Sequence, residues 1–303
     1  MTDTMRSRFN SVAVDLLASD ERSVIVLAAI GSSGFSADVK AEFGNRIIDV
    51  GIREQAMIGV AGGLALEGMR PIVMSYAPFL VERPYEQIKV SLTHQAVDAT
   101  LVSIGASWDA SKEGRTHQAP EDVALMSALP GWTVRVPGTP EEAERAIRQA
   151  HAATGSTYIR LSSDTNESSY EKEIGRLVTL RRGSDDAPTV LVVGPLVGEV
   201  LEATATSDVT VLYTATPKPI DERGLRAAVL GTDLAIVEPY LEGTSSHVVT
   251  SALSDRAMRI TSIGVTDPEI AQYGSPTQLR AAHGLDAAGI RSRLGRSLTP
   301  MPV

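Results

Sequence analysis

Two residues stand where their types could do chemistry: a carboxylate, Glu54, at a strand-to-helix turn, and an imidazole, His117, in a polar loop. Glu54 follows the short apolar stretch Ile47-Ile48-Asp49-Val50 and a tight Gly51 turn, and it precedes the small-residue run Ala56 to Leu66. A carboxylate ahead of a helix thin enough for close packing is placed to hold a cofactor. Read alone, Glu54 serves equally well as an acid at the positive end of a helix. His117 lies off any apolar helical face, so a core role fits it poorly, and its ring could hydrogen-bond or protonate a substrate oxygen. His94, His151, His247 and His283 sit in no motif, and no spacing suggests a metal site.

These side chains need a frame, and the chain alternates strand and helix patterns throughout. Residues 6–19 place apolar residues at helical spacing, and Val24 to Ile30 is a continuous apolar run of buried-strand type. The pattern predicts strands at 71–76, 100–104, 132–137 and 157–161, and helices at 56–66, 84–95, 120–129 and 139–153. Thr139-Pro140-Glu141-Glu142 is a strong helix start: a cap, a proline in the first turn, then acids. Such alternation implies a mostly parallel sheet. Polar residues dominate 162–187, and strand and helix patterns resume at Thr189. The reading is α/β with two doubly wound domains: residues 1–168, a linker over 169–187, and a smaller unit over 188–303.

The bulk numbers narrow the classes. At 303 residues the chain has room for two domains. A net charge of −9 argues against nucleic acid or an anionic membrane as a general partner. With no cysteine, disulfides, thiolate nucleophiles and Cys-ligated metals are excluded. No apolar stretch is of membrane-spanning length, and a cytoplasmic location is expected. Only four Phe occur, so Phe79 in a motif carries weight. The Gly31-Ser32-Ser33-Gly34 loop lacks the Lys and the helix start of a phosphate cradle.

Five motifs fall in order over about seventy residues: Gly51-Ile52-Arg53-Glu54-Gln55, Ala61-Gly62-Gly63-Leu64-Ala65, Ala77-Pro78-Phe79-Leu80, Tyr85-Glu86-Gln87 and Thr116-His117-Gln118-Ala119-Pro120-Glu121-Asp122. Together they resemble the pyrimidine-binding domain of thiamine-diphosphate enzymes of the transketolase family. Near the C-terminus, Tyr273 to Thr277, Leu279-Arg280 and Gly284-Leu285-Asp286 resemble the C-terminal domain of deoxyxylulose-phosphate synthases and transketolases. The family's diphosphate- and Mg²⁺-binding domain is marked by Gly-Asp-Gly, which does not occur here. The chain therefore resembles the C-terminal half of a split transketolase.

The resemblance implies roles. Glu54 and His117 are the expected catalytic residues, and Glu54, Phe79, Tyr76 and Arg53 the expected cofactor contacts. A carboxyl group in a mostly apolar interface has a raised pKa, which suits sharing a proton with the pyrimidine ring. His117, Glu113, Arg115 and Arg160 are candidate substrate contacts, with Arg83 at the site's mouth and no metal ligand on this chain. Thiamine diphosphate would be shared with an N-terminal transketolase subunit that holds most of the Mg²⁺ coordination, in an α2β2 assembly. The expected reaction moves a two-carbon ketol unit from a sugar or keto donor to an aldehyde, and the chain alone would be inactive. Deoxyxylulose-phosphate-synthase-like or 2-oxo-acid decarboxylating chemistry is the enzymatic alternative, favoured by Gly-Leu-Asp-Ala-Ala-Gly at 284–289. A non-catalytic binding subunit is the third reading. Three departures bear on substrate: Ala28-Ala29-Ile30-Gly31 replaces acidic residues, Trp108 to Lys112 replaces a glycine-rich loop, and Ser163 stands where sugar-phosphate members often carry Arg.

Overall fold

The structure, a computed structural model, describes residues 3–269 and 273–297; the outer ends of the two expected domains, 1–2 and 298–303, lie outside them. Helix α1 (Met5–Ser19) opens with a reciprocal cap between Thr4 and Ser7, the kind of device that contributes about 1 kcal/mol to a helix start. There follow β1 (Ser23–Leu27), α2 (Ala37–Phe43), β2 (Ile47–Asp49), α3 (Glu54–Leu66), β3 (Arg70–Tyr76), α4 (Tyr85–Gln87) and β4 (Thr100–Ile104). Then come α5 (Asp122–Ala128), β5 (Thr133–Arg135), α6 (Pro140–Ala152) and β6 (Thr157–Arg160). The six strands form one parallel sheet in the order β2-β1-β3-β4-β6-β5.

Alternation along the strands decides which layer each side chain joins. Val24, Val26, Val73 and Leu101 pack with Met57, Ile58 and Leu80 on one face. Ile25, Leu27, Ile72, Met74 and Val102 pack with Phe9, Leu17 and Ile147 of α1 and α6 on the other. Both faces are covered, as the uninterrupted apolar strands require. Helix α3 lies close because Gly62 has no Cβ: one built there would fall 2.5 Å from the Ser91 carbonyl oxygen.

The helix expected from Pro84 differs in kind. The chain turns helical already at Pro78, and two π-helical segments, Pro78–Glu82 and Ile88–Thr93, flank α4. Arg83 N–H accordingly donates to the Pro78 carbonyl, five residues back, at 3.0 Å. Single π turns of this sort concentrate at functional sites.

The second unit holds β7 (Val178–Arg181), β8 (Thr189–Val193), α7 (Val197–Ala203), β9 (Thr210–Thr214), α8 (Glu222–Ala228) and β10 (Asp233–Leu241). It ends with α9 (Ser246–Ala252), β11 (Arg259–Val265), α10 (Pro276–Ala282) and α11 (Ala287–Ser297). Its sheet runs β11-β10-β8-β9-β7, parallel except for β7. That strand lies inside the segment expected to be a plain connection. Its Val178 and Leu180 pack on the second core, so the link pairs with the sheet along β9. The units meet through Leu241 N–H on the Pro120 carbonyl and Val134 N–H on that of Lys218, both at 2.7 Å, and through a buried Tyr213 hydroxyl donating to Glu142.

Candidate functional site

In a parallel sheet, ligand sites collect where strands end in loops at the carboxyl edge. Here β2 passes through Gly51, at φ 72°, into Glu54, the first residue of α3. Asp49 pins that turn, accepting hydrogen bonds from Ala29 N–H at 2.8 Å and Gly51 N–H at 3.0 Å. Strand β3 ends at Tyr76, and the following π turn carries Phe79, with Arg83 capping its end four residues on. Strand β4 ends beside Gly105, which has φ 72° and packs so closely on Tyr76 that a Cβ would come within 2.1 Å of its ring.

These ends converge. Glu54 is buried, 2% exposed as a residue, and its carboxylate accepts a charge-assisted hydrogen bond from Arg83 Nη1 at 2.8 Å. The Arg83 guanidinium lies 4.2 Å from the centre of the Phe79 ring, within cation–π range. Phe79 meets His117 edge-on at 5.0 Å between centroids, and Tyr76 meets His117 at 5.6 Å and Phe79 at 6.2 Å. His117 Nδ1 is 3.0 Å from the Thr116 hydroxyl, which leaves Nε2 as the nitrogen turned to other work. Glu54, Tyr76, Phe79 and His117, chosen from motifs over sixty residues apart in chain, therefore share one aromatic cluster with Arg83.

The remaining candidates do not join it equally. Arg53 precedes α3 with an exposed side chain, and Glu113 is exposed in the loop before Gly114–His117. Arg115 is tied down: it pairs with Glu121 at 2.6 Å and Glu269 at 2.8 Å and donates to the Gln118 carbonyl at 2.7 Å. Arg160, expected as a substrate contact, is turned inward. It is 1% exposed, its Nε bonds both oxygens of the buried Asp122, and its Nη2 donates to Ser107 at 2.7 Å. Tyr158 also donates to Asp122, at 2.6 Å, so the guanidinium serves a closed internal network.

Two acidic groups near the cluster escaped sequence reading. Glu82, in the π turn, is pushed up to about 7, first by burial and then by the nearby Glu121 charge, with Arg115 opposing. Asp109, in the loop after β4, is pushed up to about 6 by burial, against hydrogen bonds from Ser163. Neither position lies in a motif, and only the fold brings Asp109 to Ser163, 54 residues on.

The carboxylate and the aromatic shelf thus lie together at the carboxyl edge of the parallel sheet. The chain belongs to the transketolase family, whose members depend on thiamine diphosphate: residues 2–166 match the transketolase pyrimidine-binding domain. It is 43% identical over 298 residues to an uncharacterized 33.6 kDa protein in the fasciation locus of Rhodococcoides fascians, covering 97% of this chain and 95% of that one. It is 28% identical over 280 residues to one of the subunits of the apulose-4-phosphate transketolase of Actinobacillus succinogenes, covering 88% and 89%. To 1-deoxy-D-xylulose-5-phosphate synthase of Chromohalobacter salexigens it is 27% identical over 96% of its own length but 46% of the synthase, so it spans about half of that relative. Among solved structures, an inactive beta4 tetramer of a split gene transketolase superposes with a TM-score of 0.83 at 25% identity, covering 98% of this chain and 99% of that one. The chain thus corresponds to the C-terminal half of a transketolase. Among the described residues, no helix is long and apolar enough to cross a membrane.

Proposed function

We propose that this chain is the pyrimidine-side component of a two-component thiamine-diphosphate-dependent ketol transferase, inactive until it meets a partner that carries the diphosphate and most of the Mg²⁺ coordination. The observation that carries the reading is the stack of Glu54, Arg83 and Phe79. A planar cation already makes there the two contacts an aminopyrimidine needs, a hydrogen bond to a buried carboxylate and a ring face. The site's residues therefore fit that ring. Thiamine diphosphate, when bound, supplies the carbon nucleophile that takes a two-carbon unit from a ketose and delivers it to an aldehyde.

The chain's own residues do the rest. Glu54 holds the pyrimidine nitrogen and shares a proton with it, and Phe79 supports the ring with Tyr76 beside it. His117, tied through Nδ1 to Thr116, offers Nε2 to a substrate oxygen as hydrogen-bond partner or proton donor. Arg53, exposed at the entry to α3, is placed to contact the partner or the cofactor. Cofactor sites made by two subunits come in pairs, which supports an α2β2 assembly. The similarity to deoxyxylulose-phosphate synthases leaves pyruvate as the rival donor.

The test begins with the partner captured on this chain from its own cells in the presence of thiamine diphosphate and Mg²⁺. The assembled complex is then assayed with hydroxypyruvate and with pyruvate against a panel of aldehydes. Ketol transfer from hydroxypyruvate, lowered about 10²- to 10⁴-fold by Glu54→Gln with assembly intact, supports the reading. Full turnover by Glu54→Gln, or a chain that takes up neither partner nor cofactor, sinks it.

A further inference from the structure

Beside Tyr76, the loop after β4 and the end of β6 line an open cavity of about 470 Å³, within the range of small-molecule sites. Its floor is built on Asp109. One carboxylate oxygen accepts from the backbone N–H groups of Ala106 at 3.1 Å and Ser163 at 2.9 Å. The other accepts from the Ser162 hydroxyl at 3.2 Å and the Ser163 hydroxyl at 2.6 Å.

That arrangement fixes what the floor can offer a ligand. A serine hydroxyl has one donor hydrogen and two acceptor lone pairs. Ser162 and Ser163 both spend their hydrogen on Asp109. Ser162 spends one lone pair on Asp164 N–H, at 3.1 Å, and both residues line the cavity with acceptor capacity left. The floor is thus an acceptor surface backed by a carboxylate. A phosphate dianion brings acceptors alone and meets no donor from Ser162 or Ser163, whereas a sugar hydroxyl brings the hydrogen that these two lack.

No buried arginine fork compensates. Arg160 is closed on Asp122, and Arg280, on the second unit, pairs with Asp164 at 2.8 Å and Glu199 at 2.9 Å. Besides Asp109, the charged residues that line the cavity, Arg6, Lys112 and Glu113, are solvent-exposed and of mixed sign, and such groups contribute little to a fixed contact.

We infer that this cavity receives the hydroxylated carbon chain of an unphosphorylated sugar substrate, with Ser162 and Ser163 as hydrogen-bond acceptors oriented by Asp109. The inference rests on the ketol-transfer reading for its place in a reaction, and on the cavity alone for its ligand class. Ser163 is exposed, so its substitution leaves the core untouched.

The experiment compares matched pairs, ribose with ribose 5-phosphate and erythrose with erythrose 4-phosphate, on the assembled two-component complex. Binding is read by saturation-transfer NMR and calorimetry, and turnover as kcat and KM with hydroxypyruvate as donor. The free sugar is expected to bind about tenfold or more tightly than its phosphate. Ser163→Ala should raise KM for the free sugar with kcat little changed, and Ser163→Arg, by adding a fork, should shift the ratio toward the phosphate about tenfold or more. Tighter binding of the phosphate by the unaltered complex overturns the inference, as does a ratio indifferent to both substitutions, or no binding of either sugar. Free-sugar binding that Ser163→Arg reverses, with no ketol transfer, upholds the cavity's ligand class and sinks the proposed reaction.

Discussion

Two carboxylates in this molecule are each buried against an arginine, and they have opposite characters. Asp122 and Arg160 have side chains 0% and 1% exposed, and Tyr158 and Ser107 complete their hydrogen bonds. The Glu54 side chain is nearly as hidden, at 3%, but its partner Arg83 is 41% exposed and reaches it across an open ring face. In the first pair both charges have left water and neither can leave the other without an uncompensated buried ion. In the second only the carboxylate has left water, so the cation can return to solvent once another planar group takes its contacts to Glu54 and Phe79. Closure on both sides builds structure, and closure on one side leaves a place for a ligand.

Breaking the closed pair should have the largest effect. Asp122→Ala leaves the Arg160 guanidinium buried and unpaired and should cost about 3–5 kcal/mol in urea unfolding of the isolated chain. Glu54→Gln, by contrast, should leave the unfolding midpoint nearly unchanged while removing activity in the complex. Equal destabilisation by the two substitutions would erase the distinction.

A smaller effect should come from the open pair. Arg83→Leu frees the Phe79 face and the Glu54 oxygen, so thiamine diphosphate should bind the assembled complex several-fold more tightly by calorimetry. Weaker binding would make Arg83 the residue that orients Glu54 rather than the one the cofactor replaces.

The smallest expected effect concerns Glu82, next door to that pair. Its folded-state pKa of about 7 lies above the 4.5 of an ordinary glutamate, because burial and Glu121 disfavour its charge. The folded state therefore binds the extra proton between those values, and stability falls as pH rises through that window. Glu82→Gln should flatten this slope, matching the unaltered chain near pH 5 and exceeding it near pH 8 in thermal melts. An unchanged slope would mean that solvent already screens the group.

Much of the fold was legible in the sequence. The strand at Thr100–Ile104 has the expected bounds, α3 and α6 start and stop within two residues of expectation, and both cores follow from continuous apolar strands. What the pattern hid has local reasons. Strand β7 is short and flanked by charge, so Val178 and Leu180 look isolated until β9 lies alongside them. The π turn at Pro78–Glu82 leaves no mark in hydrophobic period, because it changes how far the helix winds rather than which residues are apolar. Arg160 invited a ligand role by its type, and nothing local to it announced that Asp122, 38 residues earlier, would claim it.

The sequence by itself determined the family and the alternation of strands and helices, and put forward Glu54, Tyr76, Phe79 and His117 as candidates, because motif spacing and apolar period are properties of the chain. The tertiary structure decided which arginine is held in reserve and which is spent, and it alone set Asp109 beneath Ser163. Those outcomes depend on burial and on contacts between residues far apart in sequence, and a side chain's charge is only available for chemistry where the packing around it leaves it so.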